Sequence, residues 1–135
     1  MHTVDTMLEA HPQGPGAADR ATLADCIRAC LECAQACTAC ADACLAEEMV
    51  ADLVRCIRSD LDCADICTAT AAVLSRQTAT GADVTRALLE ACAQACSTCG
   101  AECESHASMH DHCRVCAEAC RRCEAACRAL LAAAG

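Results

Sequence analysis

The sequence predicts an all-α protein: an antiparallel, up-down-up-down four-helix bundle with a cysteine-lined core and a short N-terminal segment. Three observations carry this. Cysteines recur at alternating steps of four and three residues, the spacing of a single stripe along a helix. The first block is Cys26, Cys30, Cys33, Cys37, Cys40 and Cys44, the second Cys56, Cys63 and Cys67, the third Cys92, Cys96, Cys99 and Cys103, and the fourth Cys113, Cys116, Cys120, Cys123 and Cys127. Ala, Glu, Gln, Arg and Thr lie between them and are mostly good helix formers. Both prolines, Pro12 and Pro15, precede the first block, so nothing interrupts the helices that follow.

Each element has its own signals. Pro12-Gln13-Gly14-Pro15-Gly16 separates an N-terminal segment and linker, residues 1–16, from a bundle over residues 17–135. Val4, Met7, Leu8 and His11 give that segment an amphipathic turn, which packs either on the bundle or on a neighbour; His2 and His11 read as surface residues. The bundle helices are expected at about 17–46, 48–75, 81–105 and 109–132. The first opens at Thr22 with Asp25 as a capping box, or earlier, near Ala17. Glu47 and Glu48 mark the turn before the second helix, and Thr78-Ala79-Thr80-Gly81 separates the second from the third. Ser108 with Asp111 is a capping-box candidate for the fourth.

Composition narrows the function. The 135 residues include 18 Cys and 33 Ala, only 24 Leu, Ile, Val and Met together, and no aromatic residue. Such a chain lacks the bulk for an ordinary core unless cysteine, a small hydrophobe, fills it. Ten Arg, no Lys and 19 acidic residues give a net charge of −9, which repels phosphate backbones and anionic lipid. With no aromatic stacking platform either, nucleic acid is excluded as a partner, and no apolar run is long enough to span a membrane. The first ten residues have neither a basic stretch nor a continuous apolar one, so the expected location is the cytoplasm. In a reducing compartment, dense cysteine points to metal or redox chemistry more than to disulfides.

The seam extends beyond the thiols. In the second helix its register runs Leu53, Cys56, Asp60, Cys63, Cys67, so Asp60 holds a slot that another helix would give to Cys. Either Asp60 sits at the rim of a rotated helix, or it faces the thiols, where a buried charge needs a metal or a hydrogen-bonded partner. Antiparallel threading brings Glu47, Glu48 and Met49 to the same end as His106, Met109, His110 and His112. Three histidines gather there, either in a polar loop or as metal ligands. His110 is the best-placed candidate, His106 the next, and His112 is expected to be exposed. At the opposite end the seams finish in Leu23, Leu74, Leu88, Leu89, Leu130 and Leu131, an apolar plug.

A purely structural thiol core is a poor use of residues that pack less well than Leu and oxidise. A thioredoxin-like site needs one Cys-x-x-Cys at a helix start in a βαβ setting, whereas here five such pairs lie inside helices, so no enzyme is expected. Metal binding remains. Thiolates select Cu(I), Zn or iron–sulfur clusters, but zinc and iron–sulfur sites want separate sets of four ligands. A continuous thiol lining suits a monovalent ion that thiolates bridge. One Cu(I) per thiolate is neutral, whereas zinc with four thiolates leaves two negative charges in low dielectric. Many Cu(I) ions per chain is the assignment that balances. A metallothionein-like sink for Zn or Cd and a disulfide-stapled bundle are the alternatives.

The repeated Cys-x-x-x-Cys-x-x-Cys blocks, from Cys26 to Cys44 and from Cys92 to Cys127, resemble the bacterial copper storage proteins, in particular their cytosolic branch. The resemblance covers essentially the whole chain. It implies Cu(I) storage along the bundle core by the cysteines, assembly into homotetramers and loading through a mouth; the expected donor is a small-molecule complex or a copper chaperone. Exported relatives line that mouth mainly with Met; here Met49 and Met109 are the only mouth methionines, and His106 and His110 dominate. Val50, Val54, Ile57 and Leu61 form a second apolar stripe that serves as an interface or packs within the bundle.

Overall fold

The computed structural model describes residues 3–15 and 17–134; His2 lies outside them. The elements are α1 (Thr3–Ala10), α2 (Ala17–Leu45), a 3-10 turn (Val50–Leu53), α3 (Val54–Ser75), α4 (Ala82–Glu104) and α5 (Asp111–Ala134). α2 packs against α3 and α5, and α4 packs against the same two, so the four long helices stand around a square. Their short connections make each run opposite to its chain neighbour. At 22–29 residues they extend roughly 33–44 Å at 1.5 Å per residue.

The cysteine stripes converge as their spacing requires. All 18 cysteines are buried, with Ala24, Ala64, Ala71, Ala93 and Ala117 between them. Small side chains at these positions let the helices close on one another without large core residues. The core is capped at one end by Leu23, Leu74 and Leu89, which are buried, and by Leu130 and Leu131, which pack partly buried against it. At the other end lie the α2–α3 and α4–α5 connections.

Several boundaries differ from the sequence reading. The second bundle helix does not run unbroken from residue 48: Ala46–Met49 form turns, and Val50–Leu53 wind as a 3-10 turn before α3. Leu53 is fully buried at that junction and anchors it. α5 opens at Asp111, later than a Ser108 cap would place it. The chain before it is held in turns by its own backbone: the His110 and Met109 N–H groups both donate to His106 O, at 3.0 and 3.1 Å. The Asp111 carboxylate accepts instead from Arg114 Nε at 3.0 Å. Between α3 and α4 it is Ala79 that adopts the left-handed conformation, with φ 50°. Gly81 is extended, and its carbonyl accepts the Thr85 N–H at 2.9 Å to start α4.

The N-terminal segment forms a helix and packs on its own bundle. Leu8 is buried, Val4 lies against the core, and Arg28 of α2 pairs with Asp5 as well as Asp25. The turn after α1 brings Gly14 so close to the Leu8 carbonyl that a Cβ would lie 2.7 Å from its oxygen. His11 is half-buried, not a free surface residue: its Nδ1 accepts the Gln13 N–H at 2.9 Å, and its Nε2 faces Thr78 Oγ1 at 3.3 Å. These ties fasten α1 near the plugged end of the bundle.

Leu8 is the one fully enclosed apolar anchor of α1. Leu8→Ala should remove about 2 kcal/mol of local packing and release α1 while the bundle stays folded. Hydrogen exchange would then rise sharply across Thr3–Ala10 and stay unchanged in α3 to α5. Equal loss of protection throughout would show that α1 is integral to the bundle core.

Candidate metal centre

The seams of α2, α3, α4 and α5 place their sulfurs in a continuous column. It begins near the plug with Cys26 and Cys127, whose Sγ atoms are 3.7 Å apart, and reaches Cys40 and Cys113 at 3.9 Å near the other end. In between, Cys33 Sγ lies 3.8 Å from each of Cys37, Cys63 and Cys120. Cys67 lies 3.8 Å from both Cys92 and Cys96. All 18 cysteines are free, and these gaps are far beyond a disulfide bond of about 2.05 Å. A disulfide-stapled bundle is not the state of this fold.

The column divides into overlapping sets. Cys33, Cys63, Cys67 and Cys96 form one group whose ligand atoms all lie within 4.8 Å of one another, and Cys33, Cys37, Cys63 and Cys120 form another. Cys37 and Cys120 recur with Cys99 and Cys116. Each shared sulfur is within reach of two neighbouring metal positions, which is what a bridging ligand requires.

Asp60 faces the thiols and not the rim: it is fully buried. Cys99, Cys116 and Cys103 donate to its Oδ1 at 3.1, 3.3 and 3.4 Å, and Cys56 approaches Oδ2 at 4.0 Å. Thiols from three helices thus converge on one carboxyl group. Burial pushes that carboxyl up to about 12, and negative charge on Cys116 and Cys99 adds to the rise. In the metal-free protein Asp60 is therefore protonated. Burial likewise pushes the Cys44 thiol up to about 11 and raises that of Cys113. Cys44 and Cys113 are therefore held as neutral thiols near the open end.

At the open end the structure gathers His110, His112 and Glu47. Glu47 Oε2 lies 2.8 Å from His112 Nε2 and 3.1 Å from His110 Nδ1. The two rings stack with centroids 5.4 Å apart. His112, expected to be exposed, is drawn across the end of the column by this contact: its Nδ1 sits 3.4 Å from Cys40 Sγ and 3.6 Å from Cys113 Sγ. Burial works against protonating His112, but Cys40 and Glu47 outweigh it and raise its pKa. The His112 hydrogen bond in turn holds Glu47 below the usual carboxylate range. His110 is buried, and its Nε2 is the buried side-chain nitrogen or oxygen left without a partner among the described residues. His106 stands apart on Glu102, with Nε2 3.0 Å from Oε2. Met49 and Met109 are exposed at the same end. Sequence reading brings Glu47 to this end but gives it no contact with the histidines.

The arginines are kept off the column. Arg58 pairs with Asp62, Arg114 with Asp111 and Glu118, Arg121 with Glu104 and Glu124, and Arg128 with Glu124, all at the surface. Gly100 makes room for one of these pairings, since a Cβ there would meet Arg121 at 3.1 Å. Soft sulfur donors and an unpartnered buried imidazole nitrogen, with no arginine beside them among the described residues, fit soft metal ions of low charge.

A helical bundle with such a column defines a protein that holds soft metal ions in numbers. The sequence profile of the copper storage protein family matches residues 19–132, and the chain belongs to that family. It is similar to the copper storage protein Ccsp of Streptomyces lividans loaded with 10 copper equivalents, at 65% identity and a TM-score of 0.93, over 96% of this chain and 98% of that one. A five-copper form described as a cytosolic copper storage protein of the same organism is 68% identical, with a TM-score of 0.85 over 87% of this chain and 98% of that one. The copper-free copper storage protein 3 of Bacillus subtilis is 37% identical, with a TM-score of 0.67 over 78% and 95%. Comparison with curated protein sequences finds no significant match.

The buried carboxyl makes a pH prediction for the metal-free protein. Asp60 stays neutral in the fold, whereas the unfolded chain ionises it near the ordinary 3.8. Its contribution to stability is therefore whole below pH 3.8 and is lost progressively as pH rises toward 12. Asn carries no such charge. Asp60→Asn should gain on the wild type between about pH 5 and pH 8, by up to about 1.4 kcal/mol per pH unit, in anaerobic denaturant titrations of reduced protein. A difference that does not change with pH would show that Asp60 is ionised in the fold.

Proposed function

We propose that this chain takes up many Cu(I) ions and stores them in the cytoplasm without catalysing a reaction. The eighteen cysteines are the ligands along the column. Asp60 takes part where Cys99, Cys103 and Cys116 converge, and His110 and His106 serve at the mouth, with His112 beside them. The observation that carries this reading is the shared-sulfur column, beside which no arginine lies among the described residues. One Cu(I) for each thiolate leaves the core neutral, and bridging uses the sulfurs common to adjacent groups. The mouth is the end that offers imidazole; the other is closed by leucine. For His106, binding means leaving Glu102.

The proposed donor is a small-molecule complex or a copper chaperone that delivers to this mouth. The proposed assembly is the homotetramer that the family resemblance implies; of the candidate interface stripe, Val54 and Leu61 are 64% and 47% exposed, whereas Ile57 packs against the core.

One observation favours a second reading. Four groups without a shared member can be drawn: Cys30, Cys92, Cys123 and Cys127; Cys33, Cys63, Cys67 and Cys96; Cys37, Cys99, Cys116 and Cys120; and Cys40, Cys44, Cys56 and Cys113. Each could hold Zn or Cd tetrahedrally. Every such site would be doubly negative in a core with no counter-charge, which is costly. An anaerobic Cu(I) titration of reduced, metal-free protein against a chromophoric Cu(I) chelator separates the two. Storage predicts tight binding that approaches roughly one Cu(I) per thiol. Saturation near four ions, with Zn displacing Cu(I), would favour the tetrahedral sink.

A further inference from the structure

Glu47 makes two polar contacts across the open end of the column. A carboxylate only accepts hydrogen bonds, so each ring nitrogen facing it carries the proton. For His110 that nitrogen is Nδ1, 3.1 Å from Oε2; for His112 it is Nε2, 2.8 Å from the same oxygen. In neutral imidazole the other nitrogen is then a lone-pair donor. The other nitrogen of His110 is the buried, partnerless Nε2, on a side chain only 8% exposed. The other nitrogen of His112 is Nδ1, facing Cys40 and Cys113 at 3.4 and 3.6 Å. One oxygen atom thus faces the two histidines through opposite ring nitrogens.

We propose that Glu47 is the positioning residue of the mouth: its single oxygen holds His110 as the Nδ1–H tautomer and His112 as the Nε2–H tautomer, so that both present an unprotonated nitrogen to incoming Cu(I). The inference rests on the storage reading above and adds how the mouth is set. An imidazole in the wrong tautomer offers N–H to a cation and must rotate or exchange its proton before it can bind. Partners of this kind fix tautomer and ring orientation at metal sites generally, and their loss typically costs about 10- to 100-fold in affinity or activity. Glu47 comes from the α2–α3 turn and the histidines from the start of α5, so the contact also ties the two connections at this end together.

The test uses full-length, reduced, metal-free protein and the variants Glu47→Ala, Glu48→Gln and His110→Ala. Glu48 is exposed on the same turn, so its change removes equal charge and leaves the clamp intact. Long-range nitrogen–proton NMR, about two pH units above an ordinary imidazole pKa of about 6.5, reads the tautomers directly. Wild type and Glu48→Gln should show one tautomer for His110 and the opposite one for His112. Ala offers no acceptor, so Glu47→Ala should convert at least one ring or mix its tautomers. In stopped-flow mixing with a Cu(I)–chelator complex, Glu47→Ala should slow the first uptake phase about tenfold, with final stoichiometry unchanged. Unaltered tautomers, or wild-type uptake rates in Glu47→Ala, would overturn the proposal, and wild-type rates in His110→Ala would remove its premise that His110 takes part. If the wild type takes up only a few ions, the storage reading fails instead, while the tautomers still decide whether Glu47 sets the rings.

Discussion

A thiol in a dry core loses its proton only if a positive charge takes its place, and here eighteen thiols share one core. Every other feature follows from keeping that exchange neutral. A monovalent ion replaces each proton without leaving net charge, so the column can fill from end to end. The ten arginines stay outside, paired with surface carboxylates wherever the structure shows their contacts, because a fixed buried cation would bind thiolate and take up a place meant for metal. Asp60, the one acidic group in the column among the described residues, is held protonated among thiols in the metal-free protein.

The same constraint shapes the fold. A core of cysteine and alanine gives up the apolar area that leucine would supply, and the bundle compensates with long helices and continuous seams. Leucine is concentrated where it does not interrupt the sulfur ladder, at the plug and at the Leu53 junction. Because copper binds the folded protein through deprotonated ligands, loading stabilises the bundle by mass action.

The parts of this account legible in the sequence are those that depend on period. Steps of four and three assign helices and stripe together, and continuing them through Leu53 and Cys56 puts Asp60 in a thiol slot. The Leu-rich ends follow from the same register. Period carries no information about turns. Whether His112 lies on or off the seam depends on where α5 starts, and backbone bonds to His106 O set that, not the Ser108 cap. Glu47 is separated from His112 by 65 residues, and only the folded turn brings them to 2.8 Å. The 3-10 turn at Val50–Leu53 escapes for the same reason: its sequence, Val-Ala-Asp-Leu, suits the first turn of an α-helix equally well.

The central claim is that metal enters this core by exchange of one positive charge for another. The most direct measurement is the number of protons released per Cu(I), followed in a pH-stat as metal-free, reduced protein is loaded anaerobically to saturation. Neutral bridging by thiolates predicts about one proton for each Cu(I), constant over most of the filling. Two or more protons per ion throughout would mean anionic sites built from several thiolates each, and would contradict the account.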